Sequence, residues 1–181
     1  MKNMSVVVGC FLFFVGVAFG QTDAQTATAA PQKAKATLID TQGKEIGHAT
    51  LTEEEGGVMI DLDISSKVLT GMNGFHIHEK GQCDPPGFES AGGHLNPFGM
   101  QHGSRNPQGA HLGDLPNIAV GGLDGTQAQI FAYGVTLGSG ENSLFHPGGT
   151  SLVVHARYDD EITDPTGNSG PRVACGVITK E

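Results

Sequence analysis

Short runs in which apolar and polar residues alternate recur along this chain, around residues 34–39, 49–52, 58–64 and 74–78, and again around 118–120, 128–133, 151–156 and 172–179. A period of two puts every second side chain on one face, the pattern of a half-buried strand. Turn-forming groups separate several of these runs: Asp40-Thr41-Gln42-Gly43, Glu55-Gly56-Gly57, Asp124-Gly125 and His146-Pro147-Gly148-Gly149. Gly accepts positive φ and Pro pre-sets φ there, so the chain reverses at low cost. No stretch carries a persuasive helical period. Eight short strands, 28 glycines and no repeat at fixed spacing predict an all-β fold, an eight-stranded Greek-key barrel or sandwich.

Two predicted connections, residues 79–115 and 157–171, are much longer than hairpin turns. Loops of that length are usually functional or disordered. The first is poor in β-branched residues and rich in Gly, Pro and Asn from 91 to 114, which marks it as an irregular loop able to wrap a ligand.

At 181 residues with 38% apolar content, the chain can bury one sizeable core and has no room for a comfortable second domain. Residues 1–20 have the form of a secretory signal: Lys2, an apolar run over 6–19, and Ala18-Phe19-Gly20 before Gln21 as the cleavage site. Export to the periplasm, cell envelope or exterior is therefore expected. The apolar run is short of the ~20 residues that span a bilayer, and too few apolar residues precede Cys10 for a lipoprotein site. Residues 21–33 are small and polar, and are read as a flexible tether to a folded domain over 34–181.

Charge narrows the field. With 10 Lys and Arg against 19 Asp and Glu, the formal net charge is −9, which disfavours nucleic acid as a partner. Of the three cysteines, Cys10 would leave with the signal, and the remaining Cys83 and Cys175 form an even pair that an oxidising compartment would bridge; two free core thiols are the alternative.

The densest chemistry is the series His76, His78, His94, His102, His111, Asp114, followed by His155 on a later apolar strand. His76 and His78 stand two residues apart, so on a strand both rings share one face, with alpha carbons roughly 6–7 Å apart. Imidazole suits copper and zinc, and one carboxylate completes a tetrahedral zinc set. The series has enough ligands for two ions that share one residue. His48 and His146 stand apart and are read as ordinary surface or hydrogen-bonded histidines.

The blocks Gly74-Phe75-His76-Ile77-His78-Glu79, Ala91-Gly92-Gly93-His94-Leu95-Asn96-Pro97, His102, Gly109-Ala110-His111-Leu112-Gly113-Asp114-Leu115-Pro116, Val153-Val154-His155-Ala156 and Gly170-Pro171-Arg172-Val173-Ala174-Cys175-Gly176-Val177-Ile178 resemble, in order and spacing, the copper/zinc superoxide dismutases. The resemblance spans about residues 33–181 and points to a bacterial secreted type. It implies one copper ion held by His76, His78, His94 and His155 and one zinc ion held by His94, His102, His111 and Asp114, with His94 as the bridge and no cofactor beyond these metals.

It also implies dismutation of superoxide to dioxygen and hydrogen peroxide, with copper alternating between two oxidation states and His94 carrying a proton. Arg172 would guide the anion. Asp159 would accept from one histidine of each metal set, a role that the adjacent Asp160 is also placed to take. Lys80 is a further steering candidate, and a homodimer is compatible with the resemblance. Between Cys83 and His94 the chain lacks the longer insertion of many periplasmic members. A non-catalytic copper- or zinc-delivery relative would usually lack a ligand or the arginine, and this chain lacks neither. A zinc hydrolase would need an open zinc position, which Asp114 closes.

Overall fold

A computed structural model describes residues 32–65, 70–121 and 125–181. The expected signal (1–20), nearly all of the expected tether (21–31) and Asp124 of one expected turn lie outside the described residues. Among the described residues no helix is long and apolar enough to cross a membrane.

The described residues form ten strands: β1 (Lys33–Asp40), β2 (Glu45–Glu54), β3 (Gly57–Ile64), β4 (Gly71–Asn73), β5 (Phe75–His78), β6 (Ile118–Val120), β7 (Thr126–Tyr133), β8 (Ser151–His155), β9 (Arg172–Val177) and β10 (Thr179–Lys180). The main sheet runs β5-β8-β9-β1-β2-β3-β7, with β10 also on β1, and β4 pairs with β6 in a second small sheet. All named pairs are antiparallel. Connections that leave one edge of the sheet and re-enter at the other make this a Greek-key barrel.

The eight expected runs become ten strands because the last of them breaks and one short strand, β4, lies outside every expected run. Strand β4 precedes the fourth run and is separated from β5 by Gly74, the first residue of that run, whose N–H donates to the Arg157 carbonyl and whose carbonyl accepts from His155 N–H. The eighth breaks at Ile178, whose N–H turns to the Thr150 carbonyl. Strand β1 also begins at Lys33, the last residue assigned to the tether.

Strand β1 alternates cleanly, with Ala34, Ala36 and Leu38 inward. They join Leu51, Ile60, Leu62, Leu152 and Val154 in one core. Each fully buried Leu, Ile or Val contributes about 1.5–3 kcal/mol. Strands β5 and β8 differ, being buried on both faces. Phe75, Ile77, Leu152 and Val154 enter the main core, while His76, His78, Val153 and His155 point outward beneath the long loops. A second, small core of Phe88, Ala91, Val153 and Cys175 seats the first of these loops on the outer face of β8 and β9. Polar side chains on that face are thereby removed from water.

Candidate metal centre

The first long loop, residues 79–117, returns to β5 twice in strand-like fashion. Leu95 N–H donates to the Ile77 carbonyl and Ile77 N–H to the Gly113 carbonyl, so His94 lies opposite His78 and Asp114 opposite His76. At Gly113 a Cβ would strike the Ile77 carbonyl. The seam thus forms only where the side chain is a hydrogen.

His76, His78, His94 and His155 each bring one nitrogen to a common point, all within 4.8 Å of one another. Those nitrogens are His76 Nδ1, His78 Nε2, His94 Nε2 and His155 Nε2, all buried and without a hydrogen-bond partner. An unpartnered buried polar atom costs about 1–3 kcal/mol, so four aimed at one point fit a cation. The opposite nitrogen of each ring is anchored. His76 Nε2–H donates to Asp159 Oδ2 at 2.6 Å, His78 Nδ1–H to the Gly92 carbonyl at 3.0 Å and His155 Nδ1–H to the Gly170 carbonyl at 3.0 Å. These anchors fix the tautomer that leaves a lone pair facing inward. Burial pushes His94 down to about 4 and His155 down to about 3, and lowers His76 and His78 as well, so all four rings are neutral, the ligand form, at pH 7.

Beside this set a second one gathers around Asp114. The Nδ1 atoms of His94, His102 and His111 lie 2.8, 3.0 and 3.2 Å from Asp114 Oδ1. Asp114 Oδ2 accepts from the backbone N–H groups of Gly103 and His111 at 2.8 and 3.0 Å. His94 therefore faces the first set with Nε2 and the second with Nδ1. By distance alone, His76, His94, His102 and Asp114 also fall within 4.8 Å of one another. His76 belongs to the first set, because its Nε2 is committed to Asp159 and only Nδ1 is left. His111 meets the second through Nδ1, 3.2 Å from Asp114 Oδ1.

The second set favours positive charge. Burial opposes it at His102, but hydrogen bonds to Asp114 and Asp159 outweigh that and raise the ring to about 9. Burial would raise Asp114 and Asp159, yet their histidine partners hold both well below the usual carboxylate range. Imidazole nitrogens around one carboxylate are the donor types that suit zinc.

Asp159 joins the two sets, accepting from His76 Nε2–H and, at 3.0 Å, from His102 Nε2–H. Asp160 has a different job. Its carboxylate accepts from Ile162 N–H, Thr163 N–H and Oγ1–H, and Asn168 Nδ2–H, all within the surface loop. Arg172 opens β9 opposite His155, and its Nη1–H and Nη2–H donate to the carbonyls of Phe88 and Gly92. The Gly92 carbonyl thus accepts from both His78 and Arg172. Cys83 and Cys175 form a disulfide, with alpha carbons 5.6 Å apart. Lys80 instead lines a cleft of about 770 Å³ with Glu79, Glu141 and His146, which neither Arg172 nor any clustered histidine lines. His48 is exposed on β2, and both it and His146 stand outside the clusters.

Several contributors had no sequence signal. Gly167, at φ +62°, packs on the Asp159–His102 contact, where a Cβ would overlap Asp159 Oδ1 and come within 2.6 Å of His102 Nε2. Gly167→Ala is expected to destabilise the protein by about 1–3 kcal/mol through backbone strain alone and to weaken metal retention at the second set. Thermal denaturation and zinc titration check this; unchanged zinc affinity would mean that Asp159 and His102 tolerate displacement.

Residues 45–178 match the family model described as copper/zinc superoxide dismutase. A superoxide dismutase [Cu-Zn] of Aquifex aeolicus is 45% identical over 98% of this chain and 99% of its own. A second one from the same organism is 46% identical over 81% of this chain and 87% of its own. Among solved structures, a double mutant of a SOD-like protein from Bacillus subtilis superposes with a TM-score of 0.76 at 39% identity, covering 79% of this chain and 95% of that one. A barrel whose outward histidines gather into a cluster able to hold metal, a family model that matches residues 45–178 and a relative that matches nearly the whole length lead to one conclusion: the chain belongs to the copper/zinc superoxide dismutase family.

Proposed function

We propose that this chain converts two superoxide anions and two protons into dioxygen and hydrogen peroxide, using copper at His76, His78, His94 and His155 and zinc at His94, His102, His111 and Asp114. The observation that carries this reading is the convergence of four buried, unpartnered imidazole nitrogens beside imidazole nitrogens around one carboxylate. When bound, copper supplies reversible one-electron chemistry between Cu(II) and Cu(I), and zinc a redox-silent positive charge. His94 is suited to be the shared ligand because its two nitrogens face different sets. Its Nε2, which has no protein partner, is also the atom suited to take up and return a proton. Asp159 orients His76 and His102 together.

Arg172 serves the anion. The chain carries a formal net charge of −9, so its overall field repels superoxide, and capture depends on a local positive focus. The Phe88 and Gly92 carbonyls hold the guanidinium in place while leaving its charge uncancelled. Arg172→Ala is expected to slow capture about tenfold or more at low ionic strength and to flatten the salt dependence, with both metals retained. A wild-type rate in that variant at low salt would remove Arg172 from this role.

Loading the purified protein with both metals, counting ions per chain, and following superoxide loss with and without copper tests the whole reading. The expected result is one copper and one zinc per chain and copper-dependent activity. Two metals without activity would favour a copper- and zinc-binding or delivery role. The Cys83–Cys175 disulfide suits an oxidising compartment and supports export. Recovery of the protein only from the cytoplasm on cell fractionation would refute export.

A further inference from the structure

Among the described residues, Asp159 is the one carboxylate in contact with a histidine exclusive to each proposed set, yet neither its backbone N–H nor its carbonyl bonds to another described backbone group. Both are met by a single side chain. Asp159 N–H donates to Asn117 Oδ1 at 2.8 Å, and Asn117 Nδ2–H donates to the Asp159 carbonyl at 2.9 Å. The Asn117 carboxamide presents one donor and one acceptor side by side, as a neighbouring strand's peptide would. It performs for one residue what a sheet ladder performs for many.

The position of Asn117 gives the clamp its reach. It lies three residues after Asp114, at the end of the first long loop and directly before β6, whereas Asp159 lies four residues after His155 in the second long loop. The clamp therefore ties the loop that carries the second set to the loop that follows the last histidine of the first. The Asp159 carboxylate itself is loaded on both oxygens: Oδ1 accepts from His102 Nε2–H and, at 2.6 Å, from Glu161 N–H, while Oδ2 accepts from His76 Nε2–H. A carboxylate with three such bonds orients its partners only if its own backbone is fixed.

We infer that Asn117 is a positioning residue for metal binding: by clamping both backbone groups of Asp159 it holds His76 and His102 in ligating orientation. This rests on the proposed ligand sets and adds to them a residue that touches neither set. Partners that orient a ligand typically change metal affinity ~10–100-fold when removed, and Asn117, acting through Asp159, belongs in the lower part of that range.

The test uses the full chain. Zinc affinity is measured by competition with a chromophoric chelator, and cobalt(II) is placed in the second set so that its visible spectrum reports ligand geometry. Wild type, Asn117→Ala, Asn117→Asp, Asp159→Ala and the Asn117→Ala/Asp159→Ala double variant are compared, with Asn142→Ala as control. Asn142 donates through Nδ2–H to the Gly134 carbonyl, a similar side-chain clamp on backbone outside both sets.

Asn117→Ala is expected to weaken zinc about tenfold and to alter the cobalt spectrum. Asn117→Asp, which keeps the acceptor for Asp159 N–H but loses the donor, should fall between Asn117→Ala and wild type. In the Asp159→Ala background, Asn117→Ala should add less than about twofold, because a residue that acts through Asp159 has nothing left to act on. Asn142→Ala should alter melting temperature alone.

Wild-type zinc affinity and cobalt spectrum in both Asn117 variants, or full additivity with Asp159→Ala, would overturn the inference. If Asp159→Ala itself left zinc affinity unchanged, Asp159 would not orient the ligands and this inference would fail with the proposed ligand sets untouched, whereas a wild-type chain that bound no zinc would remove the ligand sets themselves. An effect of Asp159→Ala without one of Asn117→Ala would overturn only the role of Asn117. Should Asn117→Ala fail to fold, Asn117→Asp and the cobalt spectrum decide.

Discussion

His94→Ala is expected to abolish superoxide consumption and to weaken both metal sites at once, a double loss that no other single histidine substitution should produce. Two observations require it. His94 Nε2 is one of the four unpartnered nitrogens of the first set, and His94 Nδ1 lies 2.8 Å from Asp114 Oδ1 in the second. His78→Ala removes a member of the first set only, and His111→Ala a member of the second only. Elemental analysis after dialysis against a weak chelator therefore separates three patterns: copper lost with zinc kept in His78→Ala, the reverse in His111→Ala, and both weakened in His94→Ala. The activity loss in His94→Ala should exceed the ~10–100-fold typical of residues that only orient a ligand. Retention of wild-type zinc affinity in His94→Ala would show that the ring belongs to the first set alone, and the shared-ligand arrangement would be lost.

The same geometry shows what the sequence could reveal and what it could not. The pair His76 and His78 was legible because strand periodicity fixes where both rings point, and β5 presents them together on its outer face. His94, His102, His111 and Asp114 were legible as residue types, but their grouping depends on a loop whose path is set by backbone bonds from Leu95 and to Gly113, which leave no mark in side-chain pattern. The anchors of His78 and His155 are carbonyls of Gly92 and Gly170, and any residue supplies a carbonyl. Asp159 and Asp160 were equivalent as letters; only burial distinguishes the one that meets His76 and His102 from the one that ties a surface turn.

Strand β2 illustrates the same limit in the fold. It begins at Glu45, ahead of the alternating run that starts at 49, because Gly47 lies against the Asp63 carbonyl where a Cβ would clash. A glycine in a strand reads as a break until its neighbour is known. The break at Ile178 was hidden for the opposite reason: apolar alternation continues through it, while its backbone N–H turns to the Thr150 carbonyl.

Removing the disulfide, as Cys83→Ala/Cys175→Ala, is expected to lower both stability and activity, through separable causes. The bridge joins residues separated by 92 positions, and closing a loop of that length restricts the unfolded chain by about 4–5 kcal/mol on the chain-entropy model. At roughly 2–4 °C per kcal/mol for a domain of this size, the melting temperature should fall by about 10–15 °C. The activity loss has a different origin. Phe88 and Gly92, whose carbonyls hold Arg172, lie on the loop that Cys83 pins to β9, and the Gly92 carbonyl also fixes the tautomer of His78. Loosening that loop frees the guanidinium and lets His78 turn. The reduction in rate should therefore persist well below the new melting temperature, exceed that of Arg172→Ala, and be accompanied by weaker copper binding, which Arg172→Ala does not cause. Melting curves, copper competition and rates at low temperature measure the three effects independently. A variant that melts early yet keeps wild-type rate and copper affinity in the cold would show that the small core of Phe88, Ala91 and Val153 holds the loop by itself. The disulfide would then act on the unfolded chain alone.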